Sequence, residues 1–140
     1  MNSNTLPLIL AVDDEPANLA LLERLLKSQY HLMTVTGGQA ALDMLAQAPF
    51  DLVLLDIMMP DMNGLQVLDV IRHNPLTADI PVILISALTE VRDITTGLEM
   101  GANDYISKPI DLDITQARVH TQITLKRLQD ERKATITRLE

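Results

Sequence analysis

Four short apolar segments of this chain each lead into a residue that could take part in chemistry. These residues are Asp13 and Asp14 after LPLILAV, Asp56 after DLVLL, Ser86 after IPVILI and Lys108 after NDYIS. A carboxylate on a rigid element can act as a nucleophile, and carboxylate oxygens are good ligands for Mg²⁺. A lysine adds a positive charge and a serine adds a hydroxyl donor. Together the set has the groups needed to bind and accept a phosphoryl group.

The segments that carry these residues alternate with stretches long enough to form helices. Such alternation predicts parallel strands joined by right-handed crossover helices, an α/β fold of the flavodoxin-like, doubly wound (βα)5 kind. In an open parallel sheet, ligands bind outside the carboxyl ends of the strands. The candidate residues should therefore meet at one edge of a five-stranded sheet.

Apolar runs and turn residues give approximate bounds for the elements. The predicted strands are 7–12, 31–35, 52–55, 81–85 and 105–107. The predicted helices begin near Pro16, Gly38, Leu65, Thr89 or Glu90, and Leu112. The first helix should bury Leu19, Leu22, Leu25 and Leu26, the second should end near Ala48, and Gly101 should cap the fourth.

Composition limits the classes of function. The chain has 140 residues, no cysteine and a net charge of −8, with the excess of acids in residues 1–110. An acidic body argues against direct nucleic-acid binding, because a phosphate backbone attracts a basic face. No segment approaches the ~20 apolar residues that span a bilayer, and the start of the chain resembles a strand more than a signal peptide. We expect one cytoplasmic globular domain that does not insert into a membrane.

The predicted edge site crowds like charges together. Two carboxylates ~4 Å apart repel by about 4 kcal/mol at an effective dielectric constant near 20. Without a cation the site should therefore be strained, and Mg²⁺ should stabilise the protein.

The motifs taken together resemble the receiver domain of two-component response regulators, of which the chemotaxis regulator is an example. The matching stretches are Val12-Asp13-Asp14-Glu15, the run LLDIMMPDMNG from Leu54 to Gly64, Ser86-Ala87, the run GANDY from Gly101 to Tyr105, and Lys108-Pro109. The resemblance covers about residues 6–123. It implies a phosphoacceptor domain whose donor is a phosphohistidine on a histidine kinase or a histidine phosphotransfer protein.

The resemblance also implies roles for single residues around a magnesium ion. Asp56 would be the phosphoacceptor, and Mg²⁺ would be bound by Asp14, Asp56 and the backbone carbonyl of Met58. Asp13 would act partly through water. Lys108 and Ser86 would bind the phosphoryl group.

Two further expectations follow from the family pattern. Ser86 and Tyr105 would form a switch, in which the hydroxyl moves toward the phosphoryl group and the ring rotates into the vacated space. The peptide bond before Pro109 would be cis. Met58 and Leu88 offer no polar side chain that could orient a hydrolytic water, so the phosphate should hydrolyse slowly.

The last helix continues beyond the resemblance. By the family pattern it should bury Ile114, Ala117, Val119 and Ile123 on the sheet and stop near 124, which divides the chain into a receiver, 1–123, and a helical extension, 124–140. The extension has a mediocre heptad stripe at Leu125, Leu128, Arg132, Thr135 and Leu139. A solitary solvated helix, a parallel homodimer and a signalling linker all remain open.

The extension looks like the linker after receivers that drive cyclic-di-GMP enzymes or hybrid kinases. The chain would then be the receiver piece of a longer protein. It shows no helix-turn-helix and no catalytic motif, so we do not expect a conventional enzyme, although the whole protein could carry an output enzyme downstream.

Three other readings are weighed against a receiver. A haloacid dehalogenase would need a second aspartate two residues after its nucleophile, where this chain has Met58. A flavin site would need a phosphate loop where Asp13-Asp14-Glu15 stands. A receiver-like interaction or dimerisation module that is not phosphorylated is the main alternative. Beryllofluoride with Mg²⁺ distinguishes a phosphoaccepting receiver from a flavin protein or from a module that is not phosphorylated, because of these three only the receiver forms an acyl-phosphate mimic at Asp56.

Overall fold

The computed structural model describes residues 5–87 and 89–139, with side chains described as far as residue 136. Strands and helices alternate as β1 Leu8–Val12, α1 Pro16–Leu26, β2 His31–Val35, α2 Gly38–Leu45, β3 Leu52–Asp56, α3 Gly64–His73, β4 Val82–Ala87, α4 Val91–Glu99, β5 Asp104–Lys108 and α5 Leu112–Leu139. The five strands form one parallel sheet in the order β2-β1-β3-β4-β5. The flavodoxin-like (βα)5 fold is confirmed.

Helices cover both faces of the sheet. The helices α1 and α5 pack on one face, where Leu22, Val119 and Ile123 join the inward side chains of β1, β3 and β4. The helices α2, α3 and α4 pack on the other face, where Ala41 and Leu68 join a second cluster. All five residues of β3 are buried, as expected of a central strand with helices on both sides.

The strands that carry site residues extend one or two residues further than the apolar runs suggested. Strand β4 reaches Ala87 and β5 reaches Lys108, because the ladder between them continues through the pairs Ser86–Ser107 and Ala87–Lys108. Likewise Asp56 is still part of β3, opposite Ile85. The polar residues therefore sit on regular, hydrogen-bonded backbone rather than on loops.

The prediction of which α5 residues face the sheet was partly wrong. Val119 and Ile123 are buried, but Ile114 is 46% exposed and Ala117 is exposed as well. The buried stripe instead starts at Thr115, which is fully buried, and includes Gln122. The Asp111 side chain accepts a hydrogen bond from the backbone N–H of Ile114, and this cap starts the helix with Thr115 facing the sheet.

Smaller differences concern α1 and α2. In α1, Leu19, Leu22 and Leu26 are buried as expected, whereas Leu25 is only partly buried. The residue before α1 is Glu15, but its side chain makes no capping hydrogen bond. Helix α2 ends at Leu45, three residues earlier than expected.

Helix α4 ends as the sequence indicates. Gly101 follows it with a φ of 109°, in the left-handed region that favours glycine. Within the described part of the chain, no helix combines the length and the apolar content needed to cross a membrane.

Candidate functional site

Asp56 lies at the carboxyl end of the central strand, and only 1% of it is exposed. Among the described residues, Oδ2 of Asp56 has no hydrogen-bond partner, and the polar partner of Oδ1 is the Lys108 ammonium, 3.1 Å away. Burial first, and repulsion from the Asp13 carboxylate second, raise the pKa of Asp56 from 3.8 to about 7, against the opposing effect of Lys108. Buried polar atoms almost always have partners, so the unpaired Oδ2 of Asp56 indicates a ligand site.

Lys108 provides the positive charge next to Asp56. Its ammonium nitrogen lies 3.1 Å from Asp56 Oδ1 and 4.0 Å from Asp13 Oδ2. Burial alone would lower the pKa of Lys108, but the attraction of Asp56 and Asp13 outweighs it and raises that pKa. One ammonium therefore bridges two buried carboxylates. The peptide bond between Lys108 and Pro109 is cis, as expected.

An acidic cluster lies at the end of β1. Carboxylate oxygens of Asp13, Asp14 and Glu15 lie within 4.8 Å of one another. Asp13 is fully buried and is held through both oxygens, which accept hydrogen bonds from the backbone N–H of Glu15 (2.9 Å) and from Nδ2 of Asn18 (3.1 Å). Asn18 was not singled out from the sequence, although its place in the first turn of α1 puts it within reach of this strand end.

The donor set fits a magnesium ion. All the clustered donors are oxygens, which Mg²⁺ prefers, and the Asp56 carboxylate adds further oxygens at the neighbouring strand end. Asp14 is only partly buried, whereas Asp13 is already held by protein donors. Met58 follows Asp56 by two residues and its side chain is mostly exposed, so only its backbone carbonyl suits a hard cation.

The loop between β3 and α3 closes against the end of β3. The backbone N–H of Gly64 donates to the carbonyl of Ile57 at 2.8 Å. A Cβ on Gly64 would lie 2.8 Å from Ile57 Cα and still closer to the carbonyl oxygen of Asp56. At the start of α3, Asn63 and Gln66 form a reciprocal capping box. Neither the close approach of Gly64 nor the capping box was predicted from the sequence.

Ser86 is fully buried at the end of β4, but its hydroxyl does not bond to Asp56. The hydroxyl oxygen lies 2.8 Å from Oε2 of Glu90 and 3.1 Å from the carbonyl oxygen of Ala87. From the sequence, Glu90 is predicted only as a possible first residue of α4. The structure thus brings Ser86 to the expected edge and gives its hydroxyl an unexpected partner.

Tyr105 lies in β5 opposite Leu84 and is half-buried. Because Ser86 pairs with Ser107, two residues after Tyr105, the side chains of Tyr105 and Ser86 project from the same face of the sheet. The guanidinium carbon of Arg118 lies 5.3 Å from the centre of the tyrosine ring, and Nη1 of Arg118 donates to the backbone carbonyl of Tyr105. The tyrosine therefore has a cation on one side and is close to the predicted switch serine.

The expectation of slow hydrolysis stays a prediction. It depends on the side chains of Met58 and Leu88, and Leu88 lies outside the described residues.

Comparisons with known proteins agree with this arrangement. The family model of the response regulator receiver domain matches residues 9–120. A protein of Vibrio cholerae serotype O1 named "Probable cyclic di-GMP phosphodiesterase" is 44% identical over 122 residues, which are 87% of this chain and 28% of that protein. Response regulator PleD of Caulobacter vibrioides is 44% identical over 124 residues, 88% of this chain and 27% of PleD. The chain thus spans little more than a quarter of these relatives.

A solved structure shows the same architecture with a metal. The receiver domain of sensor histidine kinase PA1611 from Pseudomonas aeruginosa, described with a magnesium ion coordinated in the active site cleft, superposes with a TM-score of 0.79. It is 27% identical, and the match covers 86% of this chain and 99% of that domain.

Proposed function

This chain belongs to the response regulator receiver domain family of two-component signalling, and from that membership we propose that Asp56 is its phosphoacceptor. The donor is a phosphohistidine on a histidine kinase or a histidine phosphotransfer protein. An oxygen of Asp56 attacks phosphorus and forms a P–O bond, while the P–N bond breaks and its electron pair returns to the donor imidazole. The observation that carries the proposal is the buried carboxylate of Asp56, whose Oδ1 lies beside the Lys108 ammonium and whose Oδ2 has no partner among the described residues.

We propose that Asp14, Asp56 and the backbone carbonyl of Met58 would hold Mg²⁺, with Asp13 acting partly through water. When bound, Mg²⁺ supplies positive charge to the phosphoryl oxygens. The hydrogen bonds of Asp13 to Asn18 and to the Glu15 N–H support its indirect role, because both of its oxygens are already in use.

Lys108 and Ser86 serve the phosphoryl group in this proposal. The Lys108 ammonium pairs with Asp56 at rest and can pair with a phosphoryl oxygen once the carboxylate is phosphorylated. Ser86 donates its hydroxyl to a second oxygen. Tyr105, on the same face as Ser86, responds to that movement and transmits it to a partner or to an output domain.

The proposal also covers the longer protein in which this domain would lie. Residues 1–123 act as the receiver and 124–140 as a linker or homodimer contact, in a longer cytoplasmic protein that binds neither nucleic acid nor membrane through this domain. The short span relative to its curated relatives supports a longer protein, and the phosphodiesterase named among them is one kind of output. The domain itself assists its own phosphorylation and dephosphorylation and is not a conventional enzyme.

Incubation with acetyl phosphate and Mg²⁺, followed by mass spectrometry of the intact chain, tests the phosphoacceptor. We expect the mass of one phosphoryl group to be added to the unaltered protein and to Asp69→Asn, a control in which the changed carboxylate is exposed on α3. Asp56→Asn should gain none. An unaltered mass under conditions that preserve acyl phosphates would instead favour an interaction module that is not phosphorylated.

A further inference from the structure

The resting position of the Ser86 hydroxyl is set by a second residue. Its oxygen lies 2.8 Å from the Glu90 carboxylate and 3.1 Å from the Ala87 carbonyl. A serine hydroxyl has one proton, so it donates to one acceptor at a time. The carboxylate is both the nearer and the stronger acceptor, because hydrogen bonds to charged groups are about twice as strong as neutral ones.

The backbone places Glu90 over the end of β4. The N–H of Glu90 donates to the carbonyl of Ala87 at 3.0 Å, which closes a turn, and the Glu90 carbonyl accepts from Ile94 at 3.1 Å and starts α4. The Glu90 side chain makes no capping hydrogen bond to its own helix. Its contact with Ser86 is therefore not a by-product of capping α4.

The Ser86 hydroxyl can donate either to Glu90 or to a phosphoryl oxygen, but not to both. A hydroxyl that donates to Glu90 cannot at the same time donate to a phosphoryl oxygen on Asp56. We propose that Glu90 is a positioning residue that holds the Ser86 hydroxyl in the resting state, so that activation has to break this hydrogen bond. The inference rests on the proposed phosphoacceptor function and adds a regulatory contact to the same site.

This contact should lower the affinity of the site for an acyl-phosphate mimic. A ligand that needs the Ser86 proton binds only the fraction of molecules in which Glu90 has released it. Losing the Glu90 acceptor should therefore tighten binding about tenfold, the low end of what a hydrogen bond to a charged group contributes.

Calorimetric titration with beryllofluoride in the presence of Mg²⁺ measures this effect. We expect Glu90→Ala to bind about tenfold more tightly than the unaltered chain. Glu90→Gln, which keeps an acceptor of the same shape without the charge, should fall between the two. The matched control is Glu99→Ala, which removes a carboxylate from the other end of α4 and should leave the affinity unchanged.

A double-mutant cycle separates the hydrogen bond from a general charge effect. In a Ser86→Ala background, Glu90→Ala should change the affinity by less than about twofold. A tenfold gain that persists without the hydroxyl, or a Glu90→Gln affinity equal to that of Glu90→Ala, would overturn the proposal in favour of simple repulsion.

The same titrations distinguish the two levels of inference. Should the unaltered chain bind beryllofluoride while Glu90→Ala and Glu99→Ala match it, the role of Glu90 is refuted and the phosphoacceptor function stands. Should the unaltered chain bind none, both are refuted.

Discussion

At the scale of single residues, the site is defined by a cluster of carboxylates, two of which contact one ammonium. Asp56 and Asp13 are buried and both contact Lys108, and Asp14 lies beside Asp13. One positive charge is not sufficient to neutralise this cluster. The remaining repulsion opposes folding, and a divalent cation bound here would relieve it.

Metal binding should therefore be visible as a change in stability. We expect millimolar Mg²⁺ to raise the melting temperature of the unaltered chain by several degrees relative to EDTA, because a ligand that binds only the folded state stabilises it. In EDTA, Asp14→Asn and Asp56→Asn should melt higher than the unaltered chain, since each removes one of the repelling charges. Thermal unfolding followed by circular dichroism measures both effects.

The control for this experiment is Asp69→Asn on α3, where the carboxylate is exposed and far from the cluster in sequence. It should keep the full response to Mg²⁺. Identical melting curves for the unaltered chain in EDTA and in Mg²⁺ would contradict a metal site at this edge.

The raised pKa of Asp56 gives a pH dependence of known sign. Its pKa is about 7 in the folded protein, above the usual aspartate value of 3.8, so between these limits the folded state holds more protons than the unfolded state. Stability attributable to Asp56 is therefore highest below about pH 4 and falls as the pH rises to about 7, by on the order of 4 kcal/mol. Above that range the effect should level off.

Urea unfolding in EDTA between pH 5 and 8, expressed as a difference between Asp56→Asn and the unaltered chain, isolates this contribution. The advantage of the asparagine variant should grow with pH up to about 7. A difference that is constant over this range would show that the Asp56 carboxyl is not perturbed.

At the scale of elements, regular backbone holds the reacting groups and one glycine allows the loop to close. Asp56, Ser86 and Lys108 all belong to strands whose ladders continue to the site. The chain after Asp56 then turns back so closely that Gly64 touches the backbone at the end of β3. The position of the Asp56 carboxylate thus depends on residues eight positions later in the sequence.

Replacing Gly64 tests this dependence. In Gly64→Ala the new methyl group would overlap the backbone of Asp56 and Ile57, which cannot move as a side chain could. We expect a loss of about 3 kcal/mol in the free energy of unfolding, and slower phosphorylation by acetyl phosphate. Chemical denaturation and intact-mass kinetics are the measurements.

Gly37→Ala is the matched control at the start of α2. Its φ is −158°, an extended conformation, and a Cβ there would approach only the Asp61 side chain, which can move. That variant should lose less than about 1 kcal/mol. Equal losses from the two changes would argue against a specific role for the Gly64 contact.

At the scale of the whole molecule, α5 continues as one helix beyond the body of the domain. Ile123 is the last buried apolar side chain of α5 up to residue 136, where the described side chains end, and Leu125 and Leu128 beyond it are about half exposed. Lys133 pairs with Asp79 across the surface at 2.6 Å, but both side chains are exposed and such pairs contribute little. The side chain of Leu139, the last position of the predicted stripe, lies outside the described residues.

Truncation should separate folding from assembly. Among the side chains described, which end at residue 136, every buried apolar one of α5 lies before residue 127, so removing residues 127–140 should change the melting temperature by less than about 3 °C. If the extension is a dimer contact, the full chain with beryllofluoride and Mg²⁺ should sediment as a dimer and the truncated chain as a monomer. A dimer that survives truncation would place the contact on the body of the domain instead.

Much of this protein followed from local pattern. Short apolar runs between helix-length stretches were sufficient to predict five parallel strands and their helices, because the apolar residues of a strand lie next to one another in the sequence. The same pattern put Asp13, Asp56 and Lys108 at one edge, since parallel strands all end on the same side of a sheet. The motifs around them were sufficient to indicate the family.

The contacts between distant side chains could not be found in this way. Whether Ile114 or Thr115 faces the sheet depends on where the Asp111 cap starts α5, a rotation that apolar spacing alone left undecided. The direction of the Ser86 hydroxyl depends on the turn that brings Glu90 over β4. Packing therefore decided these orientations, because a side chain's direction and the pKa of a carboxyl depend on neighbours in space rather than in sequence.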